Sequence, residues 1–380
     1  MQPSSRHAEI SGGGIAGLAT AIALAQNGWS VCVHERSAAL RAEGAGIYIW
    51  ENGLRVLSAL GIYEDAVRGC HWGFMRETRN EYNQLVSSAR LGVTTGVRVA
   101  SIARERLLGA LYNRAMQLGV QVRFNSAVRS ANAEGSITLG NDEVRKADLI
   151  VGADGVNSKV RDSLGLLRLR KPLKDGALRF MIDRLPSERE SREDGKYIEY
   201  WSGVRRILYT PVSSEQIYLA FTTLDSDVEA KQMPLSKEVW KRSFPHLTPL
   251  IDRVGEEAHW ARFELIKLKR WSQGRVAVLG DAASALAPNL GQGGGCALMN
   301  ALALAVAIEE TSSIEAGLNL WERRERPLTE HTQRVSSLYS EVTTLPSWLR
   351  SLVFAWAGRS RWAIDQRMRT ARHIPTGGRA

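Results

Sequence analysis

The sequence predicts an α/β protein: a discontinuous domain of parallel strands and helices, interrupted by an inserted antiparallel sheet and followed by C-terminal helices. Three observations predict it. Glu9 to Glu35 reads as strand, glycine-rich turn, small-residue helix, second strand and terminal acid. Leu149–Arg161 and Arg275–Ala283 are buried-strand runs that end in Gly-Ala-Asp-Gly and in Gly-Asp. Between them, from Lys171 to about Arg270, short strand-like segments recur with tight connections.

The first stretch has the organisation of a Rossmann-like dinucleotide site. In Gly12-Gly13-Gly14-Ile15-Ala16-Gly17, Gly12 permits the strand-to-helix turn, Gly14 admits a pyrophosphate to the backbone, and Gly17 lets helix and sheet pack closely. The helix N-terminus adds unpaired N–H groups and a partial positive charge. Glu35, with Arg36 after it, ends the strand Ser30 to His34, where a carboxylate can accept ribose hydroxyls. Gly44 and Gly46 suggest backbone passing close to a ligand, and a helix pattern follows from Asn52 to Leu60.

Phe74 to Val86 reads as two strands, Val97 to Ile102 as another, and Arg104 to Gln117 as a helix with apolar residues at helical spacing. Val120 to Phe124 resumes a strand, and Ser136–Leu139 and Glu143–Lys146 form a hairpin around Gly140-Asn141-Asp142. Asp154 is held between Gly152 and Gly155 at a strand's C-terminal end, where open α/β sheets bind ligands. In the inserted region, Leu178–Ile182, Tyr197–Trp201, Arg206–Thr210 and Gln216–Thr222 are strands, and Ser187 to Lys196 a mobile surface loop. After Asp281 come Pro288 and Gly291 to Gly295, which open a helix, Cys296 to Glu310, whose N-terminus is a second place for N–H groups to face a ligand. Ile314 to Tyr339 and Thr343 to Arg372 are helical, and Pro375 to Ala380 a frayed tail. The expected division is 1–72, 98–170 and 271–340 for the nucleotide domain, 73–97 and 171–270 for the substrate domain, and 341–380 for the C-terminal helices and tail.

Composition narrows the function classes. Three separated cysteines, Cys32, Cys70 and Cys296, suit neither a disulfide framework nor a metal cluster. No apolar run approaches a bilayer span and the first ten residues lack a signal-peptide core, so a soluble cytoplasmic protein is expected. The formal charge is +10, but Lys and Arg are scattered among acids, which argues against nucleic acid or a membrane as partner.

The early glycine fingerprint with Glu35, the Gly-Ala-Asp-Gly of residues 152–155, and the Gly-Asp of residues 280–281 with Pro288 and Gly291–Gly295 together resemble the single-component FAD-dependent aromatic hydroxylases, over roughly residues 8 to 340. A nicotinamide dehydrogenase would need only the first of these motifs. The resemblance implies FAD as cofactor, NAD(P)H as co-substrate, and insertion of oxygen from O2 into a small anionic aromatic ring through a flavin hydroperoxide. Gly12, Gly14, Gly17, Glu35, Arg36, Arg104, Asp154, Asp281, Gly291, Gly293 and Gly294 would bind FAD, and Pro288 would lie beside its reactive carbon. Ser284 and Asn300 depart from the family, where His and an acid are common.

Further phrases, Gly44-Ala45-Gly46-Ile47-Tyr48, Asp175-Gly176 with Arg179, Arg206-Ile207-Leu208-Tyr209 and Tyr218-Leu219, are similar to the hydroxypyridine-carboxylate oxygenases, some of which open the ring. That similarity implies Arg179, Arg206 and Tyr218 as pocket residues, with Arg76 replacing a tyrosine. Strand alternation can place Arg179, Arg206 and Tyr218 on one face, where a guanidinium fork would hold a carboxylate and the phenol a ring hydroxyl. Tyr82, Trp201 and Tyr209 are expected to be packing residues. A hydroxybenzoate or larger natural product remains an alternative substrate.

Overall fold

The computed structural model describes residues 6–40, 46–92 and 96–378. Gly44 and Ala45 lie outside the described residues. A six-stranded sheet runs in the order Ser272–Gln273, Val276–Val278, Leu149–Gly152, His7–Ser11, Ser30–His34, Gln121–Arg123. Its pairings are parallel except for the first. This register sets the C-terminal ends of His7–Ser11, Leu149–Gly152 and Val276–Val278 side by side, so three sequence-distant loops emerge at one edge.

The helix Ile15–Gln26 is buried from Ile15 through Leu24, as its run of alanine, leucine and isoleucine requires. It packs against Gly293–Glu309, equally apolar and buried over most of its length. Close approach is what the glycines permit. A Cβ on Gly17 would lie 1.9 Å from the Gly12 carbonyl oxygen, and one on Gly12 2.4 Å from that of Ala153.

The second large sheet has seven strands, in the order Ala261–Leu268, Leu167–Asp183, Gln216–Leu224, Arg205–Pro211, Lys196–Ser202, Met75–Asn80, Leu85–Arg90. It is antiparallel apart from the parallel pairing of Lys196–Ser202 with Met75–Asn80. The 17-residue strand Leu167–Asp183 is longer than its apolar run suggested, because two partners flank it with bulges that absorb register shifts. Ala261–Leu268 is a strand that the sequence reading left unassigned.

Alternation gives this sheet two unlike faces. Leu178, Phe180, Ile182, Ile198, Ile207, Ile217, Leu219 and Phe221 point to one side and pack with Trp240 of the helix Lys237–Ser243, Phe244 at its C-terminal end and Ile251 of the helix Thr248–Asp252. The opposite face carries Arg76, Arg179, Glu199, Arg206, Thr210 and Tyr218, the intervening positions of the same strands.

Three local expectations are corrected. The segment expected as a mobile loop, 187–196, begins in the short helix Pro186–Arg189 and is pinned by charge: Asp194 pairs with His71 and buried Arg184, and Glu193 with Arg79 and Lys196. The expected frayed tail is tied down over its described part, with Pro375 buried, the Thr376 hydroxyl donating to Glu325 at 2.8 Å, and Gly377 set against Leu302 and Val306. Tyr82, expected to pack, stands 74% exposed at the turn between Met75–Asn80 and Leu85–Arg90, whereas Trp201 and Tyr209 are buried.

The cysteines are free. Cys32 lies beside a buried pair in which His34 Nε2 stands 2.6 Å from Glu9 Oε2, while His34 Nδ1 meets Ser126 at 2.7 Å. Desolvation would raise the Glu9 carboxyl, but hydrogen bonds to His34 and His7 outweigh it and hold the pKa low.

Candidate active site

The three loops at the sheet edge meet. A Cβ on Gly280 would lie 2.8 Å from that of Ala16, so the Gly-Asp turn sits directly against the first turn of Ile15–Gln26. Gly280 has φ of +63°, a left-handed conformation that glycine adopts without strain. The residue after it, Asp281, is exposed toward the cleft yet ringed by protein; desolvation pushes its carboxyl pKa up, while nearby Arg104 pulls it down. Arg104 opens the helix Arg104–Gln117 and is exposed on the same cleft. Its charge also reaches Tyr218 on the second sheet.

The cradle fits a pyrophosphate-bearing cofactor. Nothing lies within 4 Å of a Cβ built on Gly14, which occupies the N-cap of Ile15–Gln26 without a side-chain cap. Glu35 folds over this turn: its carboxylate accepts from the Gly13 N–H and the Ser37 N–H, each at 2.9 Å. It is thereby fixed beside the place a ribose would occupy, with Arg36 exposed next to it. Asp154 spends one oxygen, Oδ2, accepting from the Lys159 and Val160 N–H groups at 2.8 and 3.3 Å, while buried Oδ1 has no partner. Its pKa is raised by burial against those hydrogen bonds.

The third loop comes under the second sheet. Pro288 is exposed at the start of a single helical turn, Pro288–Leu290, and Gly291 follows at φ of +60°. Gly291 packs on Tyr48 and Trp50, and Gly294 on Ile47, so the strand Gly46–Trp50 lies along this loop. Gly293 starts the helix Gly293–Glu309, whose first-turn N–H groups carry the positive end of its dipole. Gln292 accepts from Asn52 at 3.1 Å, which anchors the loop to the helix Glu51–Ala59.

Gly46 differs from expectation. Its missing side chain accommodates protein, since a Cβ would stand 2.7 Å from Val212 and 2.8 Å from Tyr218. The strand Gly46–Trp50 therefore rests directly on the seven-stranded sheet.

On that sheet the three expected arginines differ in their commitments. Arg206 is buried, and its guanidinium donates to Asp175 at 2.8 Å, to Asn289 at 3.1 Å and to Glu199 at 3.4 Å, with Trp201 against its face at 4.9 Å. It is not an open fork for a carboxylate, because protein acids already balance it. Arg76 lies 3.7 Å from Glu199. Arg179 has no carboxylate partner among the described residues; it is hydrogen-bonded to Tyr218 and lies 6.0 Å from the centre of the Phe263 ring. Tyr218 is buried, its pKa raised by desolvation and drawn back by Arg179. Around it, Val212 and Ala220 form an apolar patch with Met181 and Leu208.

Sequence reasoning missed Asn289 and Tyr48. Asn289 joins three elements: its Oδ1 accepts from Arg206, and its Nδ2 donates to Ser340 Oγ at 2.8 Å and the Ser336 carbonyl at 3.1 Å on the helix Ile314–Thr343. On the same helix the Ser336 hydroxyl donates to the Ala287 carbonyl at 2.6 Å and Gln333 to that of Ala285 at 3.0 Å, so the Pro288 turn is held from behind. The signal was a polar stripe, Gln333, Ser336 and Ser340, at helical spacing beside a proline turn. The Tyr48 hydroxyl hydrogen-bonds Thr210 across the sheets, and its ring lies 5.0 Å from that of Tyr197. The departures are absorbed locally: the Ser284 hydroxyl donates to the Gly280 carbonyl at 3.3 Å, and Asn300 to Thr329 at 3.3 Å.

Comparisons with known proteins agree with this arrangement. The model of an FAD binding domain family matches residues 7–336. A putative 2-heptyl-3-hydroxy-4(1H)-quinolone synthase of Rhodococcus erythropolis is 43% identical, with 99% of each chain covered. A 6-hydroxynicotinate 3-monooxygenase of Pseudomonas fluorescens is 26% identical over 92% of this chain and 95% of its own. Among solved structures, the tetrameric form of 2-methyl-3-hydroxypyridine-5-carboxylic acid oxygenase superposes with a TM-score of 0.87 at 38% identity, covering 99% of this chain and 100% of the other. With a nucleotide cradle, a flanking glycine loop and a polar-faced sheet converging on one cleft, the chain belongs to the FAD binding domain family and is an FAD-dependent monooxygenase of the aromatic-hydroxylase class.

Proposed function

We propose that this monooxygenase hydroxylates a nitrogen heteroaromatic ring that bears an oxo or hydroxyl group and an apolar substituent, of the 4(1H)-quinolone class. The observation that carries this reading is the buried pairing of Arg206 with Asp175 at 2.8 Å. With Arg206 and Arg76 both facing acids, the polar face offers Arg179 and Tyr218 as donors next to the apolar Val212, Ala220, Met181 and Leu208. A neutral ring with one oxygen function and an alkyl arm suits that lining better than a small carboxylate that needs several cations. The quinolone synthase of Rhodococcus erythropolis at 43% identity and one of Mycobacteroides abscessus at 39% support it.

Bound FAD would supply the redox chemistry, hydride acceptance from NAD(P)H and activation of O2 for transfer of one oxygen atom. The chain's own residues bind and position. Gly12, Gly14 and Gly17 with the N-terminus of Ile15–Gln26 would hold the pyrophosphate, Glu35 and Arg36 the adenosine ribose, and Arg104, Asp154 and Asp281 the middle of the cofactor. Gly291, Gly293 and Gly294 would present N–H groups where negative charge develops on reduction, with Pro288 against the reactive edge. Arg179 and Tyr218 would orient the substrate's oxygen, while the apolar patch excludes water. Arg206 would act through Asn289, keeping the Pro288 turn in register with the sheet. A cytoplasmic location, where NAD(P)H is available, fits this chemistry.

The guanidinium of Arg179, which has no carboxylate partner among the described residues, together with the structural likeness to the hydroxypyridine-carboxylic acid oxygenase, favours a second reading, a hydroxypyridine carboxylate. One assay separates the two: substrate-stimulated NAD(P)H oxidation with product mass, across 2-alkyl-4(1H)-quinolones and hydroxypyridine carboxylates. Gain of one oxygen atom by the quinolones alone is the expected result. Turnover of the carboxylates with none of the quinolones would replace the first reading by the second, and the product mass would show whether the ring opens.

A further inference from the structure

The C-terminal helices carry a feature that the reaction does not use. The helix Ser347–Arg359 packs inward through Phe354, whose ring lies 5.3 Å from Trp201, and rests on the strand Leu85–Arg90. Its outward side is apolar: Trp348 is 68% exposed, Leu352 60% and Trp356 58%. These residues recur every four positions, so they form one stripe, and Arg359 falls on the same side. The next helix, Arg361–Arg372, turns Arg361, Trp362, Asp365, Arg369 and Arg372 outward. Asp365 pairs with Arg372, while Arg359, Arg361 and Arg369 have no carboxylate partner among the described residues.

The scattered charge of the sequence as a whole argues against a membrane partner, but here exposed tryptophans and arginines are gathered on adjacent helices, and we propose that these two helices dock the enzyme on the surface of an anionic lipid bilayer. Tryptophans seat their indoles at the headgroup boundary, leucine enters the acyl region, and arginines neutralise lipid phosphates. This is surface attachment: the helix Ser347–Arg359 has 13 residues, and no described helix is long and apolar enough to cross a membrane. Charge decides between lipid and a second copy of the chain. A second copy seated on this face would bring another Arg359, Arg361 and Arg369 into the same contact with no free carboxylate among the described residues there to balance them, whereas anionic headgroups complement them. The same helix roofs a narrow cavity in which Phe354, Ala357 and Gly358 stand over Arg76 and Glu199 of the polar sheet face.

The test is co-sedimentation of the FAD-loaded enzyme with phosphatidylcholine vesicles and with vesicles of phosphatidylcholine and phosphatidylglycerol, at low and high salt. Flavin absorbance and hydroxylation rate on a water-soluble substrate serve as folding controls. Wild type is expected to sediment with the anionic vesicles and not the neutral ones, and to be released by salt. The W348S/W356S variant should stay in solution with unchanged flavin absorbance, and R359Q, R361Q and R369Q should each weaken binding roughly fivefold. Failure of the wild type to bind anionic vesicles, or equal binding by W348S/W356S, overturns the proposal. So does a concentration-dependent dimer that W348S/W356S abolishes while vesicles remain unbound, which would assign the face to a second copy.

Discussion

The two faces of the seven-stranded sheet are built from the same strands and differ by one residue of register. On one side Leu178, Phe180, Ile207, Leu219 and Phe221 close over Trp240 and Phe244 with no charge among them. On the other, Arg76, Glu199, Arg206 and Asp175 form a connected ionic cluster beside Arg179 and Tyr218. The comparison teaches where each kind of energy resides. The first face stabilises the domain by removing apolar area from water. The second contributes little net stability, because burying paired charges costs about what their attraction returns, but it fixes the position of the groups proposed to meet a substrate.

Substitutions can break or sharpen this contrast. The largest effect is expected from Trp240→Ala on the apolar face, which should destabilise by about 3–5 kcal/mol, measured by denaturant unfolding, since a fully buried indole leaves a cavity. On the polar face, Arg206→Met should cost about 3 kcal/mol by stranding Asp175, and the double variant Asp175→Leu with Arg206→Met should recover most of it. Both variants should consume more NAD(P)H per product formed, because the Asn289 link to the Pro288 turn is cut. An Arg206→Met enzyme with unchanged coupling would refute that link.

A smaller and mainly functional effect is expected from Arg179→Met: a loss of about tenfold to a hundredfold in kcat/KM, with a stability cost of about 1–2 kcal/mol, because the buried Tyr218 hydroxyl loses a partner in apolar surroundings. The smallest is Tyr48→Phe, which removes the hydroxyl contact with Thr210 and should lower stability by about 1 kcal/mol in thermal unfolding. If Tyr48→Phe destabilised more than Trp240→Ala, the contrast between the faces would be reversed.

The nucleotide cradle was legible in the residues because its requirements are local. A glycine where the chain turns, a glycine where backbones touch, and an acid at a strand end are each stated within a few positions, and Gly12, Gly17 and Glu35 stand where that logic puts them. The polar face was legible only in part. Alternation set Arg179, Arg206 and Tyr218 on a common side, yet could not say that Asp175, 31 positions from Arg206, would claim its guanidinium.

By itself, then, the sequence determined the α/β class, the parallel-stranded core with its three glycine-bearing turns, and the helix Arg104–Gln117, because hydrophobic period and backbone permissiveness act over short range. Only the tertiary structure decided which charges are spent and which remain available. It drew Arg206 into Asp175, pinned 187–196 with Arg184 and Arg79, tied Thr376 to Glu325, and left Trp348 and Trp356 facing outward. The reason is physical: pairing energies and burial depend on distances between residues remote in sequence, and those distances exist only once the sheets have packed.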